Sequence, residues 1–168
     1  MQRLNLGCGG DIKPGFLNVD LKKRDGVDLV ANIMELQFTP ETFTEIFLGD
    51  ILEHLYVPQA GKLLRNCYGW LKPQGTVAVH TTNLPFLASR LADGGDYTDP
   101  YHYEVLKWVY GITPAGESDS PYMVHYWGYS KESLTYLLKQ IGFRVSDSQV
   151  DCGGFGLYVS AFKPQMEK

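Results

Sequence analysis

Basic residues are in deficit in this 168-residue chain: 15 lysines and arginines face 19 acids, for a formal net charge of −4. A nucleic-acid groove draws its affinity from cationic side chains, so this balance speaks against nucleic acid as a partner. Cysteine is scarce too. Cys8, Cys67 and Cys152 are odd in number and lack paired metal-ligand spacing, which excludes a disulfide-knit framework and implies reduced thiols and no metal site. No apolar run approaches the ~20 residues that span a membrane. No basic and apolar leader precedes the opening MQRLNLGCGG, so the expected location is cytoplasmic. What is present suits a soluble domain: 44% of residues are hydrophobic and 20% charged. A chain of this length fits one domain, residues 1–168, and buries roughly 70% of its unfolded surface.

Short apolar runs at residues 3–6, 17–21, 27–33, 44–49 and 76–82 read as strands, and 144–150 with 155–162 as a closing hairpin. Between them, Ala60, Leu64, Cys67 and Leu71 recur at helical spacing, widened by Leu63 and Trp70, which predicts an amphipathic helix over 58–71 stopped by Lys72-Pro73-Gln74-Gly75. Ser130 occupies an N-cap position before the stripe Leu134, Leu137, Leu138 and Ile141, and Gly142 ends that helix. Strands separated by helices or short crossovers imply an α/β, Rossmann-like, mostly parallel sheet with an antiparallel strand near the end. Ligands of such sheets bind at the carboxyl ends of the strands. Gly7 to Gly10, Asp20, Asn32, Asp50 and His80 all fall there, on one rim.

Residues 83–128, after strand five, break the rhythm. The segment is rich in aromatics (Tyr97, Tyr101, Tyr103, Trp108, Tyr110, Tyr122, Tyr126, Trp127), with helices expected at 84–91 and 100–110, and reads as a lid that sets selectivity. Between Asp93 and Asp119 the acids Asp96, Asp99, Glu104 and Glu117 join those two against Lys107 alone. Aromatic faces and carboxylates suit sugars, amines and neutral small molecules, so the expected partner is a small-molecule or saccharide acceptor.

A glycine turn after the first strand suggests a nucleotide-like cofactor. The dinucleotide fingerprint fails here: its third glycine would fall on Ile12, and Asp20 comes only 11 positions after Gly9, against about 20 in that motif. A full helix does not fit between the first two strands, and its N-terminus is what holds a pyrophosphate. The cofactor implied carries ribose and adenine without phosphate, and S-adenosylmethionine answers that description. Glycines let the backbone approach its methionine part, and Asp20 can accept from both ribose hydroxyls.

The segments LNLGCGG, FLNVDL, FTEIFLGDILEHL, LRNCYGWLKPQGTVAVHTTN and YSKESLTYLLKQIGF, in this order, resemble a class I S-adenosylmethionine-dependent methyltransferase. The chain is similar, more narrowly, to short methyltransferases often encoded beside glycosyltransferases. The resemblance runs over residues 3–162, much of the insertion excepted. It implies a seven-stranded sheet with the last-but-one strand at the edge and the final strand antiparallel. It places Gly7, Cys8 and Gly9, flanked by Leu6, at the methionine side, Asp20 with Leu21 at the ribose, Asn32 and Ile33 at the adenine, and Gly49 and Asp50 facing the methionine amine and the acceptor. A hydroxyl acceptor benefits from a general base, for which histidine is suited near neutral pH. His125, where the family often has a histidine, is the first candidate, His80 the second, and Asp50 completes the catalytic set. The shortened first helix and the missing N-terminal helix leave the site open until the insertion or a second copy in a homodimer closes it. They also leave an alternative: a non-catalytic module that binds an adenosyl ligand.

Overall fold

Aliphatic residues at alternate positions give each central strand one apolar face, and two helices with matching stripes cover it. The computed structural model describes residues 2–93, 99–111 and 123–165. In chain order the elements are β1 (Arg3–Leu6), β2 (Leu17–Asp20), β3 (Leu29–Val30), β4 (Phe43–Gly49), a 3-10 turn (Leu52–His54), α1 (Val57–Trp70), β5 (Leu71–Thr82), α2 (Leu84–Ala92), α3 (Pro100–Tyr110), α4 (Lys131–Ile141), β6 (Arg144–Val150) and β7 (Gly156–Phe162). The seven strands form one sheet of order β3-β2-β1-β4-β5-β7-β6. β7 runs antiparallel to both neighbours and β6 lies at the edge, as the sequence implies.

Leu4, Leu6, Val19, Ile46, Leu48, Val77, Val79, Leu157 and Val159 point to one side, where they share a core with Leu63, Leu64 and Cys67 of α1 and Leu134 and Leu138 of α4. Burying each such side chain contributes about 1.5–3 kcal/mol. Helix α4 begins where Ser130 accepts from the Ser133 N–H at 3.1 Å and ends at Gly142, whose φ of +113° suits glycine.

The other face is built differently. Among the described residues no helix separates β1 from β2 or β2 from β3. A loop takes the helix's place, held by two asparagines adjacent on β1 and β2. Asn5 Nδ2 donates to the Asp11 carbonyl (2.8 Å) and to Asn18 Oδ1 (2.9 Å), which also accepts from the Lys13 N–H (2.9 Å). Asn18 Nδ2 donates to the carbonyls of Lys13 and Phe16, both at 3.2 Å. Cationic stems finish the cover, with Lys13 Nζ 4.1 Å above the Phe47 ring and the Arg3 guanidinium 4.6 Å above Phe16.

Two strands differ from expectation by more than one residue at an end. β5 starts at Leu71 rather than after Gly75, because the chain leaves α1 directly into pairing with Phe43. The expected stop is absorbed as an irregularity in that strand, with Gln74 at φ +65°. β3 shrinks to two residues, since the Asp28 carboxylate caps the Asn18 N–H and Asn32 folds an Asx turn just beyond.

Candidate active site

Strand order sets the layout of the rim: Asn32 after β3, Asp20 ending β2, Gly7 after β1, Asp50 after β4, His80 on β5 and Tyr158 on β7. At about 4.8 Å per strand the step from Asp20 to Asp50 is roughly 10 Å. A single cavity of ≈ 730 Å³ follows this line and touches every one of these residues.

Gly7 and Gly9 turn the chain at φ +63° and +51°. A side chain at Gly7 would strike Ile51, whereas nothing lies within 4 Å of where a Cβ would stand on Gly9 or Gly10. The loop is therefore a bare cradle. The Asp20 carboxylate is fixed across it, Oδ2 accepting from the Gly9 N–H and Oδ1 from the Lys22 N–H, both at 2.8 Å. An ionised carboxylate has about four acceptor sites. Two remain for a vicinal diol, which is what a ribose presents. Burial, then the charge of Asp20, pushes the Cys8 thiol up to about 11, so it stays protonated and inert. Asn32 is internally satisfied, Oδ1 accepting from the Met34 N–H (3.0 Å) and Nδ2 donating to Glu35 (3.1 Å). Leu21, Ile33 and Gly49 also line the cavity. Leu6 does not: strand alternation turns its side chain fully into the helix-covered core, and Asn5 faces the cavity instead.

Asp50 sits in the left-handed region at φ +52°, which costs a non-glycine residue energy that something must offset. The Asp50 N–H donates to the His80 carbonyl (3.0 Å), and His80 Nδ1 meets Asp50 Oδ1 at 2.7 Å. Asp50 does not cap the following 3-10 turn, which has no side-chain cap. Burial opposes charge on His80, but the bond to Asp50 and the charges of Asp50, Glu53 and Asp151 outweigh it and raise its pKa. The other His80 nitrogen faces the Gly156 backbone beside Asp151, in space a Cβ would fill, and Tyr158 packs on the ring at 4.2 Å. Both nitrogens are thus directed at protein, and the geometry makes His80 the support of Asp50.

Beneath this pair lies Glu53, 1% exposed, accepting at Oε2 from the Thr81 hydroxyl (2.8 Å). Burial and then the charge of Asp50 raise its pKa to about 7. The native state therefore holds a proton that the unfolded chain, at 4.5, releases. Stability falls as pH rises from about 4.5 through about 7, by on the order of 3 kcal/mol for this group. Urea unfolding at pH 5 and pH 8 should show Glu53→Gln, which keeps an acceptor for Thr81, losing less stability than the parent by about that amount.

Among its described residues, the insertion meets the rim only at its return. Helices α2 and α3 bury Leu87 and Val105 and pack around Phe155, whose ring approaches Phe86 (5.2 Å) and Trp108 (5.7 Å). Tyr101, Tyr103 and Tyr110 are exposed. Of the insertion's described residues, Met123 and Tyr126 reach the cavity, and the Tyr126 and Trp127 N–H groups donate to the Glu53 carbonyl. Tyr97, Tyr122, Asp96, Glu117 and Asp119 lie outside the described residues. His125 is placed one layer behind the wall, Nδ1 donating to the Trp108 carbonyl at 2.8 Å, and burial followed by the proximity of His54 lowers its pKa to about 4. Besides His80, the histidine that lines the cavity is His54, beside Tyr56 and Gln59. Sequence alone reads His54 as a structural residue of the loop after the fourth strand and Tyr126 as one of the lid's aromatics, and gives Tyr56 and Gln59 no site role; only tertiary packing brings the turn after β4 against the insertion's return. Among the described residues no group of three or more histidines, cysteines or acids could hold a metal ion, and no helix is long and apolar enough to cross a membrane.

Residues 4–79 match the model of a family described as a methyltransferase domain. Among solved structures, the chain is similar to the 1,6-didemethyltoxoflavin-N1-methyltransferase of Burkholderia thailandensis, with bound 1,6-didemethyltoxoflavin and S-adenosylhomocysteine (TM-score 0.64, 18% identity, 97% of this chain and 71% of that one). It is also similar to S-adenosylmethionine-dependent methyltransferases of Archaeoglobus fulgidus (0.63, 17%, 96% and 85%) and Mesorhizobium loti (0.60, 15%, 96% and 90%). At these identities the likeness is one of fold. No curated protein matches the sequence. The family match covers residues 4–79, under half of the chain, and the solved structures share its fold.

Proposed function

We propose that this domain transfers a methyl group from S-adenosylmethionine to a hydroxyl of an uncharged small molecule or saccharide. The observation that carries the reading is the single cavity joining a diol-ready carboxylate and a bare glycine cradle to a wall of Asp50, His54, Tyr56 and Tyr126. When bound, S-adenosylmethionine supplies an electrophilic methyl on a sulfonium. Asp20 would hold its ribose, the backbone of Gly7 to Gly9 its amino-acid part, and Asn32 and Ile33 the adenine. Asp50, oriented by His80, presents negative charge where the methionine amine and the acceptor's polar hydrogens would lie. Positioning of this kind supplies much of the rate in a displacement reaction.

The cationic residues on the cavity wall, Lys22 and Arg24, follow Asp20 at the cofactor end. On the acceptor side Tyr56 and Tyr126 pack at 4.5 Å as a paired aromatic surface, each substantially exposed. Such a surface takes the apolar face of a sugar or heterocycle and offers a phosphate no cationic partner. The Burkholderia protein, seen with a small heterocycle beside S-adenosylhomocysteine, is consistent with that class. Residues 83–128 would act as the acceptor-side lid through Met123 and Tyr126.

The test is release of S-adenosylhomocysteine across a panel of methyl hexopyranosides, small amines and sugar phosphates. Turnover is expected with neutral members, and kcat/KM at least tenfold lower for phosphorylated ones. Binding of the cofactor with no turnover of any acceptor would favour the non-catalytic module.

A further inference from the structure

We infer that His54 is the group that takes the proton from the acceptor hydroxyl, and that His125 positions it. The inference rests on the proposed methyl transfer and names a residue for a step left unassigned there.

His54 closes the 3-10 turn after β4, four residues beyond Asp50, and its side chain lines the cavity next to Tyr56. Its Nδ1 lies 3.1 Å from the Val124 carbonyl. A carbonyl can only accept, so Nδ1 carries the hydrogen and Nε2 keeps its lone pair. The ring is braced by His125, packed edge-to-face with centroids 4.7 Å apart. His125 is itself fixed through Nδ1 to the Trp108 carbonyl and by the His125 N–H to the Tyr110 carbonyl (3.2 Å). Gly111, at φ +73°, ends α3 against this histidine, where a Cβ would collide with the Met123 carbonyl and the His125 ring. The whole bracket — α3's end, the insertion's return and the turn after β4 — thus converges on the orientation of one imidazole.

The titratable neighbours acting on His54 are Asp50, on its own turn, and His125, across from it. Burial lowers the His54 pKa, the Val124 bond and Asp50 oppose the shift, and the net direction is downward. The ring is therefore neutral and able to accept at neutral pH. In the transfer, the hydroxyl oxygen bonds to the methyl carbon as the hydroxyl proton passes to Nε2. The electron pair of the broken S–C bond stays on sulfur, leaving a neutral thioether, and the positive charge ends on the imidazolium. His80 is unsuited to this role, with both nitrogens directed at protein.

Nitrogen-15 NMR of the histidine rings in the full chain, free and with S-adenosylhomocysteine, tests the inference without an acceptor. At pH 7 the His54 ring should show a protonated Nδ1 and an unprotonated Nε2. An Nε2–H tautomer or an imidazolium at that pH overturns it. With a neutral hexopyranoside that turns over, His54→Gln should lower kcat by about 10²–10⁴-fold while S-adenosylhomocysteine affinity stays within about twofold. His125→Phe should lower kcat and disturb the His54 tautomer signal, whereas His125→Asn, able to donate to Trp108, should recover part of both. Unchanged kcat in His54→Gln would refute the assignment even with binding intact. Absence of S-adenosylhomocysteine binding in the parent chain would instead refute the methyl-transfer reading beneath it.

Discussion

Replacing Asp20 by alanine should weaken S-adenosylhomocysteine binding by 100-fold or more, measured calorimetrically. Hydrogen bonds to a charged group contribute about 1.5–3 kcal/mol each. Losing two, to a ribose diol, amounts to roughly two to four orders of magnitude in affinity. The substitution also frees the Gly9 N–H, now held at 2.8 Å, so the cradle loses its brace. Asp20→Asn separates the two effects. It keeps one acceptor oxygen and the shape but not the charge, and an intermediate loss of about tenfold is expected. Both variants should retain nearly the parental melting temperature, because the side chain is only partly buried and the freed amides sit near solvent. A parental affinity in Asp20→Ala would remove this carboxylate from the binding account.

The second large effect is on stability and sits one layer lower. Asn18→Ala deletes an amide that satisfies the Asn5 side chain, the Lys13 N–H and the carbonyls of Lys13 and Phe16 at once. Each buried polar group left without a partner costs about 1–3 kcal/mol. Allowing for partial relaxation, the variant should lose about 3 kcal/mol, which for a domain of this size lowers Tm by roughly 6–12 °C. Asn18→Asp should fare no better, since it removes the Nδ2 donors and sets a second carboxylate against Asp28, whose Oδ2 lies 3.3 Å from that nitrogen. Thermal unfolding that leaves Tm within 2 °C of the parent would mean that the loop does not depend on the asparagine pair. The consequence reaches function: this loop carries the glycine cradle, so Asn18→Ala should also weaken cofactor binding, by less than Asp20→Ala does.

The strand positions, the closing hairpin and the two main helices were legible because their signals are local, whereas the edge place of β6 was implied by the family resemblance. Alternation gave the core faces, Gly142 ended α4, and the short span between Gly9 and Asp20 excluded a helix. That same shortness could not say what replaces the helix. Asn5 and Asn18 read only as polar positions on alternating strands, and their value comes from standing side by side, which register alone decides. The Leu6 side chain lies away from the cavity for a related reason: chain adjacency to the glycine turn does not carry a side chain there when alternation points it into the core. On the acceptor side the limit was greater. His54 and His125 are separated by 70 residues that include most of the insertion, and no periodicity reports which of two histidines fronts a cavity. The order was decided by backbone carbonyls of Val124 and Trp108, contacts that no sequence pattern encodes.

One titration bears on the account more directly than any other: calorimetry of the unmodified chain with S-adenosylhomocysteine, with NAD in parallel. A bare glycine turn tied to Asp20, with no helix N-terminus to receive a pyrophosphate, predicts saturable one-to-one heat with the first ligand and none with the second. Heat from NAD alone, or silence from both, would contradict it.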